Sequence, residues 1–312
     1  MTTMIQKNTR KKKTFLQRLW QDKAFVLLAL PGIAFYIIFH YVPMYGVWMA
    51  FTNYNMSKPI ILSDFVGIKW FEQFFNSYFC GRLIRNTLTI SLKGLFFSFP
   101  IPILFAIILN EVRHTKFKRT VQTVSYLPHF ISTVVAVGIL KDIFSAPDGI
   151  INQLIVMLGG KEIHFFNKPQ YFHGLYIGSG IWSSFGWGSI LYIAAIAGID
   201  PQLYEAATID GANRPQQIWH VTIPGILPTV VMMLIMNVGS IMSVGYEKII
   251  LMYGPSTYET ADVISTYVYR RGLVSGDYSF GAAIGLFNNV INLILLLLVN
   301  KISRKVADIA LW

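Results

Sequence analysis

Long apolar blocks separated by short polar and basic stretches set the pattern of this chain. Crossing the hydrocarbon of a bilayer takes about 20 consecutive, mainly apolar residues in a helix. Six stretches reach that length: Phe25–Phe51, Asn86–Leu109, Val121–Phe144, Gly174–Ile199, Val221–Val244 and Ser279–Val299. The pattern predicts an all-α, polytopic membrane protein of about six transmembrane helices. It divides into a basic N-terminal segment over 1–24, a transmembrane domain over 25–302 and a short tail over 303–312. Between spans 1 and 2, Thr52–Arg85 is crowded with aromatic residues such as Trp70, Phe74 and Tyr78, a composition that favours the headgroup interface. Span 2 contains Pro100-Ile101-Pro102, which predicts a kink or local unwinding. Ile150–Leu158 is apolar but too short to span, and reads as a surface helix or a re-entrant element.

Composition agrees with the pattern. Of 312 residues, 54% are apolar and 13% charged, about half the charge of a soluble domain, and the mean hydropathy is +0.51. The net charge of +11 raises the question of nucleic acid, but its placement answers it. Fifteen Lys and Arg fall on one side of the predicted topology, crowded into the N-terminus, the loop after span 2 and the C-terminal tail; ten are scattered on the other, Lys141 at the end of its span included. Basic residues mark the cytoplasmic side, so both termini are expected there. The N-terminal basic run is then an orientation signal and a contact for anionic lipid. The apolar stretch after Arg10-Lys11-Lys12-Lys13 is far longer than a signal h-region of about 7–15 residues, so Phe25–Phe51 reads as a retained span.

Chemistry-bearing motifs are few. Cys80 stands alone, reading as a small apolar residue near a helix start. The six histidines show no metal-ligand spacing, and no nucleophile–base arrangement suggests catalysis. No G-x-x-x-x-G-K-[ST] phosphate loop occurs, so ATP chemistry, if used, must come from a partner.

The most informative segment is the cytoplasmic loop 200–224 between spans 4 and 5. Asp200 is placed to cap a helix with Pro201 at its first position. About two turns follow, and Gly211 supplies the left-handed residue that ends them. A second short helix from about Arg214 leads into span 5. Glu205, Ala206, Ala207, Gly211 and Pro224, with Val221 and Ile223 in the aliphatic positions, match the pattern Glu-Ala-Ala, three residues, Gly, nine residues, Ile-x-Leu-Pro. This resembles the EAA loop of membrane subunits from binding-protein-dependent ABC importers. Asp210-Gly211-Ala212 is similar to the sugar-importer form, and Asn86-Thr87-Leu88 with the last five spans resembles the maltose-type permease core. Leu109-Asn110-Glu111-Val112-Arg113 and the stretch from Glu259 to Tyr267 are similar to permeases for complex oligosaccharides.

The resemblance implies a type I ABC importer permease fold in a bacterial cell membrane and a sugar cargo, an oligosaccharide by the closer likeness. It implies as partners a second homologous permease, two cytoplasmic ATPases that bind the ATP and Mg, and an external sugar-binding protein; this chain would take no cofactor itself. Glu205, Ala206, Ala207, Asp210, Gly211 and Pro224 would couple to the ATPase. The family's path runs through the middle spans. Aromatic faces stack on sugar C–H surfaces, and amides and hydroxyls bond to the rim, so the path candidates are Trp182, Ser184 and Trp187 in span 4, Asn237, Ser240 and Ser243 in span 5, and His129 and Thr133 in span 3. Lys93, within span 2, either snorkels to the outer surface or serves the path. Glu247-Lys248 ends span 5 on the outer side. The alternative is a self-sufficient ion-coupled carrier or channel; a carrier would be expected to place ionisable residues deep in several spans. Here deep charge is almost confined to Lys93.

Overall fold

The computed structural model describes residues 23–311; the basic segment before Lys23 lies outside them. Two compact units divide between Trp48 and Met49. In the first, α1 (Lys23–Tyr36) contains Pro31 and passes through a π turn at Ile37–Tyr41 into a 3₁₀ stretch beginning at Val42. Its large apolar residues face outward, Leu28 with 83% of its surface exposed, as suits a helix whose neighbour is lipid.

The second unit opens with a two-residue antiparallel ribbon, β1 (Thr52–Asn53) against β2 (Asp64–Phe65), followed by α2 (Lys69–Phe75). Helices α3 (Cys80–Ser98) and α4 (Pro100–Glu111) together make one span of 32 residues. The helix is interrupted at Phe99, beside the expected Pro100-Ile101-Pro102, although Phe99 itself keeps helical angles. Proline is tolerated in a membrane helix where neighbours and local adjustments satisfy the freed carbonyls.

Span 3 departs most from expectation. Instead of one helix over Val121–Phe144, α5 (Thr115–Tyr126) runs through a 3₁₀ turn at Leu127–Phe130, and α6 (Thr133–Phe144) then leaves at 101°. Pro128 has no N–H to continue the ladder. Ile131 and Ser132 are extended, and the Ser132 hydroxyl accepts the Val135 N–H at 3.3 Å, capping the new helix. A short helix, α7 (Ile150–Met157), occupies the stretch too short to span.

The remaining α-helices are α8 (Pro169–Ala197), α9 (Pro201–Ile209), α10 (Arg214–Gln217) joined by a π turn to α11 (Ile223–Gly239), α12 (Tyr246–Met252), α13 (Tyr258–Ala261), α14 (Ile264–Val268) and α15 (Tyr278–Ala307). Among the described residues, five helices are long and apolar enough to cross a membrane, six if the bent α5–α6 pair is one span. Span 5 ends at Gly239, earlier than the expected Val244. Two asparagines of α15 hold the chain beyond it: Asn292 accepts the Met242 N–H at 3.0 Å and donates to Ser243 Oγ at 2.7 Å, while Asn288 donates to the Met242 carbonyl at 3.0 Å. Side-chain amides thus replace the helical ladder where it stops.

The aromatic segment after span 1 is only partly interfacial in character. Trp70 and Phe74 are buried against α15, and the Trp70 indole donates to the Thr52 carbonyl at 2.9 Å; Tyr78 is exposed. Cys80 is a buried member of the same core.

Candidate functional site

Helix α8 is the axis of the site, because glycine lets its neighbours approach. A Cβ on Gly186 would lie 2.1 Å from the Ser125 carbonyl oxygen of α5, and one on Gly188 3.3 Å from Pro102 of α4. Close backbone approach through small residues is the packing mode of membrane helices. Trp187, between these glycines, projects into space instead. The His129 ring stacks on it with centroids 4.6 Å apart and planes 4° from parallel, and Phe130 meets it edge-on. The sharp α5–α6 bend is what carries His129 to that position.

Two cavities share Ser184. The larger, about 490 Å³, is walled by Trp187 and Ser184 of α8, Asn237 of α11, Ser240 and Ser243 in the irregular segment after it, and Ser91 and Ser98 of α3. The smaller, about 310 Å³, is walled by His129 and Thr133, by Ser179, Ser183 and Ser184, and by Lys248. Seven of the eight path candidates therefore line these spaces. Trp182 does not. Five residues turn a helix through a net ~140°, so Trp182 lies on another face from Trp187, in an apolar cleft of about 290 Å³ against α6. Asn237, Ser240 and Ser243 follow one another at intervals of three; the helix stops at Gly239, yet i→i+3 turns such as Ser243 N–H to the Ser240 carbonyl keep them together.

Hydroxyl direction sets the character of the walls. Ser184 donates to the Gly180 carbonyl at 2.7 Å, Ser183 to the same carbonyl at 3.0 Å, and Ser179 to that of Leu175. Each proton is spent on its own helix, so the oxygen lone pairs are left for an incoming hydroxyl. Lys93 lies apart from both cavities: its ammonium is 3.1 Å from His173 Nδ1, whose Nε2 donates to the Thr260 carbonyl at 3.1 Å. An accepting Nδ1 and a donating Nε2 describe a neutral ring.

The loop after α8 folds as its sequence predicts. Asp200 accepts the Gln202 N–H at 3.0 Å, and Gly211 has φ +80°. The Ala212 N–H returns to the Ala207 carbonyl, closing the helix end. Asn213 and Gln216 form a capping box that starts α10. Four side chains not singled out in the sequence brace the loop: Tyr204 OH pairs with Thr222 Oγ1 at 2.9 Å, and Gln217 donates to Thr208 Oγ1 at 3.0 Å and to the Ala212 carbonyl at 3.2 Å. Glu205, Ala206, Asp210 and Pro224 are exposed and Ala207 is half-buried. Leu203, Ile209 and Trp219 are exposed beside them, Ile209 at 86%. Large apolar residues bared in a polar loop signal a partner surface, and that signal was available in the sequence.

The Asn86-Thr87 and Glu259–Tyr267 stretches prove to be one structural unit. Asp262, 1% exposed, takes a bidentate pair from Arg270 at 2.8 and 2.9 Å and a hydrogen bond from Thr266, with Arg82 at 3.4 Å. Asn86 donates to the Glu259 and Asp262 carbonyls at 2.9 Å, and Thr87 accepts the Ile264 N–H. Burial pushes the Tyr253 phenol up, against the pull of Arg270, which donates to it at 2.7 Å.

Residues 98–308 match the family described as binding-protein-dependent transport system inner membrane component. The chain belongs to that family. The permease is 41% identical over 298 residues, 96% of its own length and 93% of the other, to the polygalacturonan/rhamnogalacturonan transport system permease protein YteP of Bacillus subtilis. It is 39% identical to protein LplB of the same organism over 94% of its length and 92% of that protein. Two solved structures share its fold. One is a bacterial ABC transporter involved in import of the acidic polysaccharide alginate (TM-score 0.86, 41% identity, 95% of this chain and all of that one). The other is a bacterial alginate transporter in complex with an alginate pentasaccharide-bound periplasmic protein (TM-score 0.87, 40% identity, 96% and all). The permease is thus a multi-pass inner-membrane transport subunit.

Proposed function

We propose that this permease forms half of the path of an ATP-driven importer and passes an oligosaccharide delivered by an external binding protein. It works with a second homologous membrane subunit, and two cytoplasmic ATPases holding ATP and magnesium dock on residues 200–224 of each. Its N- and C-termini face the cytoplasm. The names borne by the Bacillus relative and the alginate transporters support a saccharide cargo. The observation that carries the reading is the His129–Trp187 stack opening on hydroxyl-lined space at Ser184. Flat rings supply a face for sugar C–H groups, and the serine oxygens and Asn237 accept or donate at the rim, the mixture of apolar wall and few polar groups expected of a ligand site.

The coupling arm follows from the loop. A stiff pair of braced helices transmits displacement of a docked partner to α8 and α11, between which it is inserted. The test is uptake of a panel of labelled oligosaccharides by cells expressing the whole transporter. Trp187→Ala should cut uptake severely while the ATPase still co-purifies. Uptake equal to that of the unaltered protein would sink the path assignment.

A further inference from the structure

One residue of the smaller cavity has chemistry that a neutral sugar does not require. Lys248 lies on α12, past the end of span 5, and its ammonium crosses to α8, where it donates to the Tyr176 carbonyl at 2.8 Å and sits 4.7 Å from the centre of the Tyr176 ring. Gly180 leaves it room: a Cβ there would be 3.4 Å from Nζ. An ammonium has three protons to donate, and the structure uses one on Tyr176. Among the described residues, no carboxylate lies within ion-pair distance of it. The serines on the same wall have turned their protons inward to backbone carbonyls. The three serines therefore offer lone pairs, and Lys248 brings an ammonium to the same lining.

Resting on the oligosaccharide reading above, we propose that Lys248 reads a carboxylate, and that the cargo is an acidic, uronate-containing oligosaccharide. A carboxylate accepts only, so it is disfavoured along a surface of hydroxyl oxygens and gains a charge-assisted hydrogen bond at the one cation. The sugar ring bearing it stacks at Trp187 and His129, since Ser184 joins the two spaces. Lys248 thus determines specificity and leaves ring stacking to the aromatic pair.

The experiment uses proteoliposomes holding the complete transporter and its binding protein. The probes are trisaccharides of galacturonate, glucuronate and mannuronate, each as the free acid and as the methyl ester, alongside neutral trisaccharides. The unaltered transporter should import at least one free acid. Lys248→Gln should lower its uptake about tenfold more than that of the ester, the scale of one hydrogen bond to a charged group, and Lys248→Arg should restore most of it. Equal loss for acid and ester would show that Lys248 merely ties α12 to α8, and would overturn the proposal. Import of neutral sugars with rejection of every acid would overturn it too, leaving the oligosaccharide reading intact. Import of no saccharide at all would overturn both.

Discussion

Gly186→Ala adds one methyl group to the middle of α8 and tests whether that helix is placed by backbone contact. The new carbon would lie 2.1 Å from the Ser125 carbonyl oxygen, 2.5 Å from its carbon and 2.8 Å from its Cβ. A carbon and an oxygen in contact prefer roughly 3.3 Å or more, so α5 and α8 must part by about 1 Å. No side-chain rotation relieves the overlap, because the obstacle is main chain held in its own helix. Overpacking typically costs about 1–3 kcal/mol, and a rigid obstacle belongs at the upper end. Replacing glycine by alanine in a helix returns roughly 0.5–1 kcal/mol, which leaves a net loss of about 2 kcal/mol. Gly178 on the same helix is the control: a Cβ there meets nothing within 4 Å, so Gly178→Ala keeps the propensity gain without the clash. Thermal unfolding of the purified transporter in detergent, followed by intrinsic fluorescence, should place Gly186→Ala several degrees below the unaltered protein and Gly178→Ala at or above it. Because α5 carries the turn that holds His129, uptake should fall in the first variant only. If the two variants melt together, α8 is not positioned by this contact.

The other predictions address the loop, the buried ion pair and the topology. Gly211→Val forces a β-branched residue to φ +80°, at a cost of roughly 1–2 kcal/mol or more, and Ala207→Trp blocks a half-buried docking face. Both should abolish uptake and loosen ATPase co-purification, whereas Glu205→Ala, losing an exposed pair of about 0.2–1 kcal/mol, should give a partial defect; normal uptake and retention in both severe variants refutes the coupling role. Asp262→Asn removes the partner of Arg270, and breaking a buried pair costs about 3–5 kcal/mol. With Arg270 31% exposed, roughly 2 kcal/mol is expected, read as a lower unfolding temperature; an unchanged melt shows that solvent compensates the arginine. Single cysteines at Thr9 and Lys168 in a Cys80→Ser background should label from opposite sides with an impermeant reagent, and labelling of Thr9 from outside intact cells contradicts cytoplasmic termini.

Features set by neighbouring residues were legible in the sequence. Length and apolarity alone identify helices that can cross a bilayer, since the bilayer admits few other backbones. The 200–224 loop was legible to its caps, because Asp200, Pro201 and Gly211 act on their own backbone within a turn. What required the tertiary structure is whatever two distant segments decide together. The bend of α5–α6 is signalled by Pro128 and Ser132, but its 101° angle is a matter of what each half packs against. Span 5 ends at Gly239 because Asn288 and Asn292, about 50 positions away, take over its polar groups. Trp182 and Trp187 look alike in sequence, and only the packing of α6 against α8 sends one to an apolar cleft and the other to His129. In the sequence Lys248 marks the end of a span; that its ammonium reaches past Gly180 to the Tyr176 carbonyl is decided by the packing of α12 on α8. Local backbone preference acts over three or four residues, whereas a cavity belongs to the several helices that leave it unfilled.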